Sequence, residues 1–331
     1  MEEETLLLIK PDAIQKGLVG VILDSLHKQS LNIIEVARVQ LKQEDIEILY
    51  FQLKNSCFYS ELMEFLISIP IILLKIKGEN AVYGVKYNVI GKYYSQDGLR
   101  RIYSESHIKN VAHASEDLES AGKEIQYFER YFMQEKQGNR ERFSNITVFA
   151  LAGMSECGKS TVGRYFDSKG IPRLKIIKIF ERVRDKKEPN KDLKGFIEEQ
   201  EQKDPFALWD SFIDELIIEM QSLSAKNASI ESLYGGGLGP YLKQQLGKSF
   251  CLIFIDVPLE IRLQRQIIRE ELKGGIKEAE KLLLPRDQLK TVTGVPQLKE
   301  IADGVIDNST TLKELYQQID RLIDEHSNRG H

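Results

Sequence analysis

Residues 146–168 read ITVFALA (146–152), GMSECGKS (153–160) and TVGRYFDS (161–168). An apolar run passes into a turn with two glycines and then into apolar residues at helical spacing, which predicts a buried strand, a tight loop and a helix. The middle block meets G-x-x-x-x-G-K-[ST] at every fixed position. Glycines let the backbone curl so that successive N–H groups face one anion, and the helix start adds partial positive charge. Lys159 would reach the outer phosphates as a catalytic cation, and the Ser160 hydroxyl would join the shell of a Mg2+ ion. Gly153, Glu156, Cys157, Gly158, Ser160 and Thr161 are therefore expected to hold a nucleotide, with ATP as phosphate donor. Asp256, at the end of the apolar run SFCLIFID (249–256), is a second candidate metal ligand.

Outward from this block, short apolar runs alternate with helical patterns. Strands are expected at Ser249 to Asp256 and Ala302 to Asp307. Helices are expected at Pro205 to Ser222, Leu259 to Leu272 and Leu312 to Ile323. Such spacing implies a parallel sheet flanked by helices. Toward the N-terminus the composition breaks at QEKQGNRERFSN (134–145), a polar stretch with little to bury. It is read as a linker over 135–145, between a domain at 1–134 and a second at 146–331. In the first domain, strands are expected at Thr5 to Ile9, Leu31 to Leu41 and Ile71 to Ile76. Helices are expected at Ala13 to His27, Phe58 to Ile67, Asn80 to Ile90 and Ser115 to Phe132.

Composition narrows the classes. Of 331 residues, 46 are Lys or Arg and 50 are Asp or Glu, a net charge of −4, so no basic excess marks a nucleic-acid binder. Cys57, Cys157 and Cys251 lie far apart with no CxxC pair, which argues against a disulfide framework or zinc site and for a cytoplasmic setting. The apolar run near the start is too short for a signal peptide, and no stretch reaches the ~20 apolar residues of a membrane span.

The second domain carries FIDVP (254–258), then Arg262, Arg265 and Arg269 along one predicted helix, and ADGVIDN (302–308) near the end. With the glycine loop, these resemble the P-loop nucleotide kinases, in particular the dephospho-CoA kinase and (deoxy)nucleoside monophosphate kinase branch. The resemblance implies that Arg265 and Arg269 clamp the transferring phosphates. It also implies an acceptor-side loop at LYGGG (233–237). The second strand of the dephospho-CoA kinases carries an acid, whereas IPRLKIIKI (171–179) has none, so a monophosphate acceptor fits better.

The first domain carries LIKPDA (8–13), GLVG (17–20), SIP (68–70), GENAV (78–82) and NVAHASEDLESAGKEI (110–125), in that order. Over about residues 4–132 these resemble nucleoside diphosphate kinase. The resemblance implies a ferredoxin-like βαββαβ domain in which His113 is the nucleophile that becomes phosphorylated, oriented by Ser115 and Glu124. Lys10, Arg100 and Asn110 would hold phosphates and sugar, Tyr50 would assist near the histidine, and Phe58 would stack on the base. Lys86 stands where the family's next phosphate arginine is expected and keeps the charge without the bidentate fork. GKYY (91–94) replaces an expected threonine, and Ser115-Glu116 replaces a Ser-Asp pair.

The whole is thus an α/β two-domain chain with nucleotides as partners. The first reading is a bifunctional nucleotide kinase using ATP and Mg2+. The family also implies a homo-oligomer. Two other readings stay open: a nucleotide-sensing regulatory protein, and a kinase for another small molecule.

Overall fold

The computed structural model describes residues 1–92, 97–233 and 237–327. Its contacts divide the chain into two compact units: Met1–Gln137 with Lys194–Leu208, and Gly138–Leu193 with Trp209–His331. The inclusion of Lys194–Leu208 in the first unit departs from an uninterrupted domain over 146–331.

The first unit begins with β1 (Glu2–Ile9), α1 (Pro11–Gln15), α2 (Val19–Lys28) and β2 (Asn32–Val39). It continues with α3 (Gln43–Leu49), α4 (Tyr59–Leu66), β3 (Ile71–Glu79) and α5 (Ala81–Tyr83), which runs into a π-helical turn over Gly84–Ile90. Then come α6 (Leu99–Tyr103), β4 (Ala112–Ala114) and α7 (Leu118–Phe143). The strands form an antiparallel sheet in the order β2-β3-β1-β4, the ferredoxin-like arrangement. Leu6 and Leu8 face α7, where Phe128 and Phe132 join one core cluster with Ile46 and Leu62. Leu7 and Ile9 are equally buried on the opposite face. Burial on both faces explains why β1 reads as an unbroken apolar run.

One sequence expectation is corrected here. The helix expected over Ala13 to His27 is two helices, because Gly17 takes φ +66° between them. The segment 135–145 is helical through Phe143, since its long polar side chains are good helix formers that need no burial. Helix α3 and strand β4 were not expected; β4 is three residues long, too short for a periodic signal.

The second unit opens with β5 (Thr147–Ala152), α8 (Lys159–Ser168), β6 (Arg173–Lys175) and α9 (Ile176–Lys187). Helix α10 (Leu193–Lys203) lies almost wholly in the segment that groups with the first unit. The second unit resumes with α11 (Pro205–Ser222), β7 (Asn227–Glu231), α12 (Leu238–Leu246) and β8 (Phe250–Asp256). It ends with α13 (Leu259–Glu270), α14 (Gly275–Val292), β9 (Gly304–Asp307) and α15 (Leu312–Ser327). All neighbours in the sheet β6-β7-β5-β8-β9 are parallel. Phe149 and Leu151 of β5, Cys251 and Ile253 of β8, Phe166 of α8 and Ile319 of α15 share one buried cluster. The region 171–179, expected as strand, is strand only at Arg173–Lys175 and then turns helical.

From β5 the chain crosses to β6 on one side, and from β8 it crosses to β9 on the other. The connections part between β5 and β8, and in open parallel sheets such a switch point opens a crevice beyond the strands' carboxyl ends. The glycine loop leaves β5 at that place.

Candidate active sites

In the first unit the site is built around a short edge strand. His113 pairs with Leu8 across the β1–β4 register. Cross-strand partners share a face, so the imidazole lies on the side of α7. There its Nε2 lies 3.0 Å from Glu124 Oε1, and Glu124 Oε2 accepts from the Ser115 hydroxyl at 2.7 Å. With Nε2–H given to the carboxylate, the lone pair sits on Nδ1, the nitrogen left to react. The Tyr50 ring stands edge-on to the imidazole at 5.2 Å. Its hydroxyl is buried with no hydrogen-bond partner, and burial raises its pKa above the usual range.

The chain just before the histidine is held in a strained turn. Val111 takes φ +76°, and the Ala112 N–H donates to the Asn110 carbonyl at 2.9 Å, closing a γ-turn. A β-branched residue rarely adopts that backbone. Three side-chain contacts fix it. The Val111 N–H donates to Asp12 Oδ2 at 2.9 Å, and Arg100 donates to the Asn110 and Ala112 carbonyls at 3.3 and 2.7 Å. Backbone strain of this kind persists where surroundings over-determine it. Asp12 was absent from the sequence-derived set, and no sequence pattern marks a turn of this type.

Lys10, immediately after β1, is 2% exposed. Its Nζ donates to Asn110 Oδ1 at 2.6 Å and to the Ile108 carbonyl at 3.1 Å. Burial first, and then the nearby Arg100 charge, lower its pKa to about 7 against the opposing pull of Asp12. Arg100 is itself pushed below its ordinary value, chiefly by burial. Lys10, Tyr50, Arg100, Asn110, His113, Ser115 and Glu124 are thus linked by direct contacts around one centre. Phe58 is half-buried at the start of α4, against the same core cluster as Tyr50. Lys86 is buried and engaged elsewhere: its ammonium pairs with the Glu116 carboxylate and donates to the Glu116 carbonyl at 3.3 Å. Of the expected replacement at 91–94, Tyr93 and Tyr94 lie outside the described residues.

In the second unit the loop 153–160 alternates between backbone regions. Gly153, Glu156 and Gly158 take φ +140°, +59° and +97°. Gly153 also allows close approach, since a Cβ there would lie 2.5 Å from the Ile255 carbonyl. Lys159 begins α8, and its Nζ donates to the Gly153 and Met154 carbonyls at 2.9 and 2.8 Å. A cavity of about 820 Å3 opens over the loop. Its wall carries six cations, Lys159, Arg164, Arg265, Arg269, Arg286 and Lys290, together with Ser160, Thr161 and Glu156. Arg265 donates to the Glu156 and Cys157 carbonyls, and Arg269 donates to the Glu156 carboxylate at 2.5 Å. Lys290 Nζ reaches the Gly153 carbonyl at 3.3 Å; burial and the neighbouring Lys159 charge lower its pKa to about 8.

Three sequence-derived residues are placed away from the wall. Cys157 is 1% exposed and packs into the core, and Gly153 lies beneath the loop. Asp256 is ion-paired with Lys299 at 2.6 Å and does not line the cavity. Among the described residues no cluster of three His, Cys, Asp or Glu could hold a metal. Arg262 is buried against Asp287, and Asp287 also accepts from the Ser155 N–H at 2.9 Å, so this pair ties the loop to α14. Arg164, Arg286 and Lys290 were missed: each is an isolated cation in a helix whose cavity-facing side only the tertiary fold defines. Tyr234, in the expected acceptor loop, lies outside the described residues, as do Gly235 and Gly236. Among the described residues no helix is long and apolar enough to cross a membrane.

Residues 3–134 match the nucleoside diphosphate kinase family model. Over 131 residues the chain is 38% identical to the nucleoside diphosphate kinase of Actinobacillus pleuropneumoniae serotype 5b, covering 39% of this chain and 95% of that protein. The chain belongs to the nucleoside diphosphate kinase family. The enzyme of Campylobacter jejuni subsp. jejuni serotype O:23/36 is 36% identical over 130 residues, covering 38% of this chain and 94% of that one. The solved structure of the Aquifex aeolicus nucleoside diphosphate kinase matches at 30% identity with a TM-score of 0.36, covering 39% of this chain and 95% of that one. The family match ends at residue 134, ahead of the parallel sheet and its glycine loop.

Proposed function

We propose that this chain is a bifunctional nucleotide kinase. The first unit passes phosphate between nucleoside triphosphates and diphosphates through His113. The second phosphorylates a (deoxy)nucleoside monophosphate from MgATP. The observation that carries the first half is the His113–Glu124–Ser115 chain of contacts, with Nδ1 left to react. Nδ1 attacks the γ-phosphorus, the bond to the bridging oxygen breaks, and its electron pair leaves with the diphosphate. Glu124 stabilises the positive charge that develops on the ring. In the return step the terminal oxygen of a second diphosphate attacks the phosphorus on Nδ1, and neutral imidazole is the leaving group.

The second half is supported by the glycine loop and the six cations around one cavity. Phosphoryl transfer relies on positioning and charge neutralisation more than on a base. An oxygen of the acceptor monophosphate attacks the γ-phosphorus while ADP leaves. Mg2+ is read as part of the incoming nucleotide, where it offsets phosphate charge. Of the side chains on the wall, the Ser160 hydroxyl suits its shell, because Mg2+ keeps few protein ligands beside substrate oxygens.

The test is a panel of nucleoside monophosphates incubated with MgATP and resolved by product. Wild type is expected to yield diphosphate and then triphosphate from its preferred acceptor. His113→Ala should stop at diphosphate, with the second step lowered at least about a thousandfold. Lys159→Ala should lose the first step by about 100- to 1,000-fold and keep the second. Failure of every monophosphate to give a diphosphate would leave the second unit without this activity.

A further inference from the structure

Among the described residues on the cavity wall, Glu156 supplies the one carboxylate against six cations. Its Oε1 accepts from Arg269 at 2.5 Å and lies 3.9 Å from Arg286, while its backbone carbonyl accepts from Arg265 at 3.3 Å. Three arginines from α13 and α14 thus converge on one residue of the glycine loop. The side chain is 13% exposed, and its backbone sits in the left-handed region, which an unbranched acidic side chain seldom occupies. Fully buried Gln266 adds a second tie, because its Oε1 accepts from Arg286 at 2.9 Å and from Arg269 at 3.4 Å. Guanidinium groups grip carboxylate and phosphate oxygens through the same fork. We infer that Glu156 is a positioning residue that stands in for a phosphate group. It keeps Arg269 and Arg286 aimed over the loop, and an entering polyphosphate takes its place between them.

This role rests on the polyphosphate reading of the second unit and goes beyond it. The motif fixes no residue type at position 156, and an acid there repels the ligand that the surrounding cations attract. Removing its charge should therefore tighten binding, because the phosphate no longer has to displace a carboxylate from the arginines. A merely structural glutamate would weaken binding when replaced.

The experiment titrates inorganic tripolyphosphate into the full chain by calorimetry, for wild type, Glu156→Gln and Glu156→Asn. Asparagine tolerates left-handed backbone, so the second variant covers the case in which the first fails to fold. Each is repeated with Lys159→Ala to mark the heat that belongs to the glycine loop. The expected result is binding about tenfold tighter in either folded variant, from loss of one like charge beside the ligand. Equal or weaker binding in a folded variant overturns the inference. Wild-type binding that Lys159→Ala leaves untouched overturns instead the polyphosphate reading beneath it.

Discussion

At the scale of single residues, the chemistry proposed for the first unit turns on His113 and Lys10. Glu124 lies against the Nε2 nitrogen of the imidazole and is proposed to leave Nδ1 to react. Glu124→Ala should lower the rate of triphosphate formation about 100-fold, the usual cost of a reacting group misplaced by an ångström. Stopped-time product assays check this, and an unchanged rate would deny Glu124 its orienting role. Lys10 makes a pH prediction. With a pKa of about 7 it is mostly neutral at pH 8 in the free protein. A bound phosphate restores its charge, so binding at pH 8 should take up nearly one proton. Calorimetry of a nucleoside diphosphate in two buffers of different ionisation enthalpy measures that uptake, with Lys159→Ala present to silence the second unit. Lys10→Arg should abolish it. The sequence placed Lys10, His113, Ser115 and Glu124 because a family resemblance carried them. It could not place Asp12 or the strained Val111, whose roles arise from a turn closed by residues about a hundred positions apart.

Elements rather than residues decide how the glycine loop is held. Gly158 has φ +97°, and a Cβ there would lie 2.2 Å from Asn308 Nδ2, which donates to the Cys157 carbonyl. Helix α14 contributes Asp287 beneath the loop and Arg286 and Lys290 above it. Periodicity alone left α14 unread, because its apolar residues Leu282, Leu283 and Leu284 are consecutive and Pro285 interrupts it. Pro205–Ser222, by contrast, was legible to its last residue, because its apolar residues recur along its whole length after a starting proline. In the first unit, α2 meets α10 so closely that a Cβ on Gly20 would fall 2.3 Å from the Glu201 carbonyl. Gly20→Ala should therefore destabilise that unit by about 1–3 kcal/mol, the range for overpacking a rigid contact. Thermal unfolding checks it, and an unchanged midpoint would mean that α10 yields freely.

At the scale of the whole molecule, composition divided the chain near residue 134 but not completely. Lys194–Leu208 belongs by its contacts to the first unit, where Asp204 pairs with Arg38 at 2.7 Å. No composition break marks such an excursion, because the segment is as polar as its neighbours and acquires its partners only on folding. A chain ended at Gln137 should accordingly melt below the matching transition of the full chain. An equal midpoint would show that residues 194–208 contribute nothing to that unit. Buried or crowded cations line both candidate sites, and among the described residues there the first site alone includes a histidine. The most direct measurement is to incubate the full chain with γ-labelled ATP, remove the nucleotide and map the retained label. One acid-labile, alkali-stable phosphate on His113, discharged by added nucleoside diphosphate, is the predicted result. No retained phosphate, or one on another residue that a diphosphate cannot discharge, would contradict it.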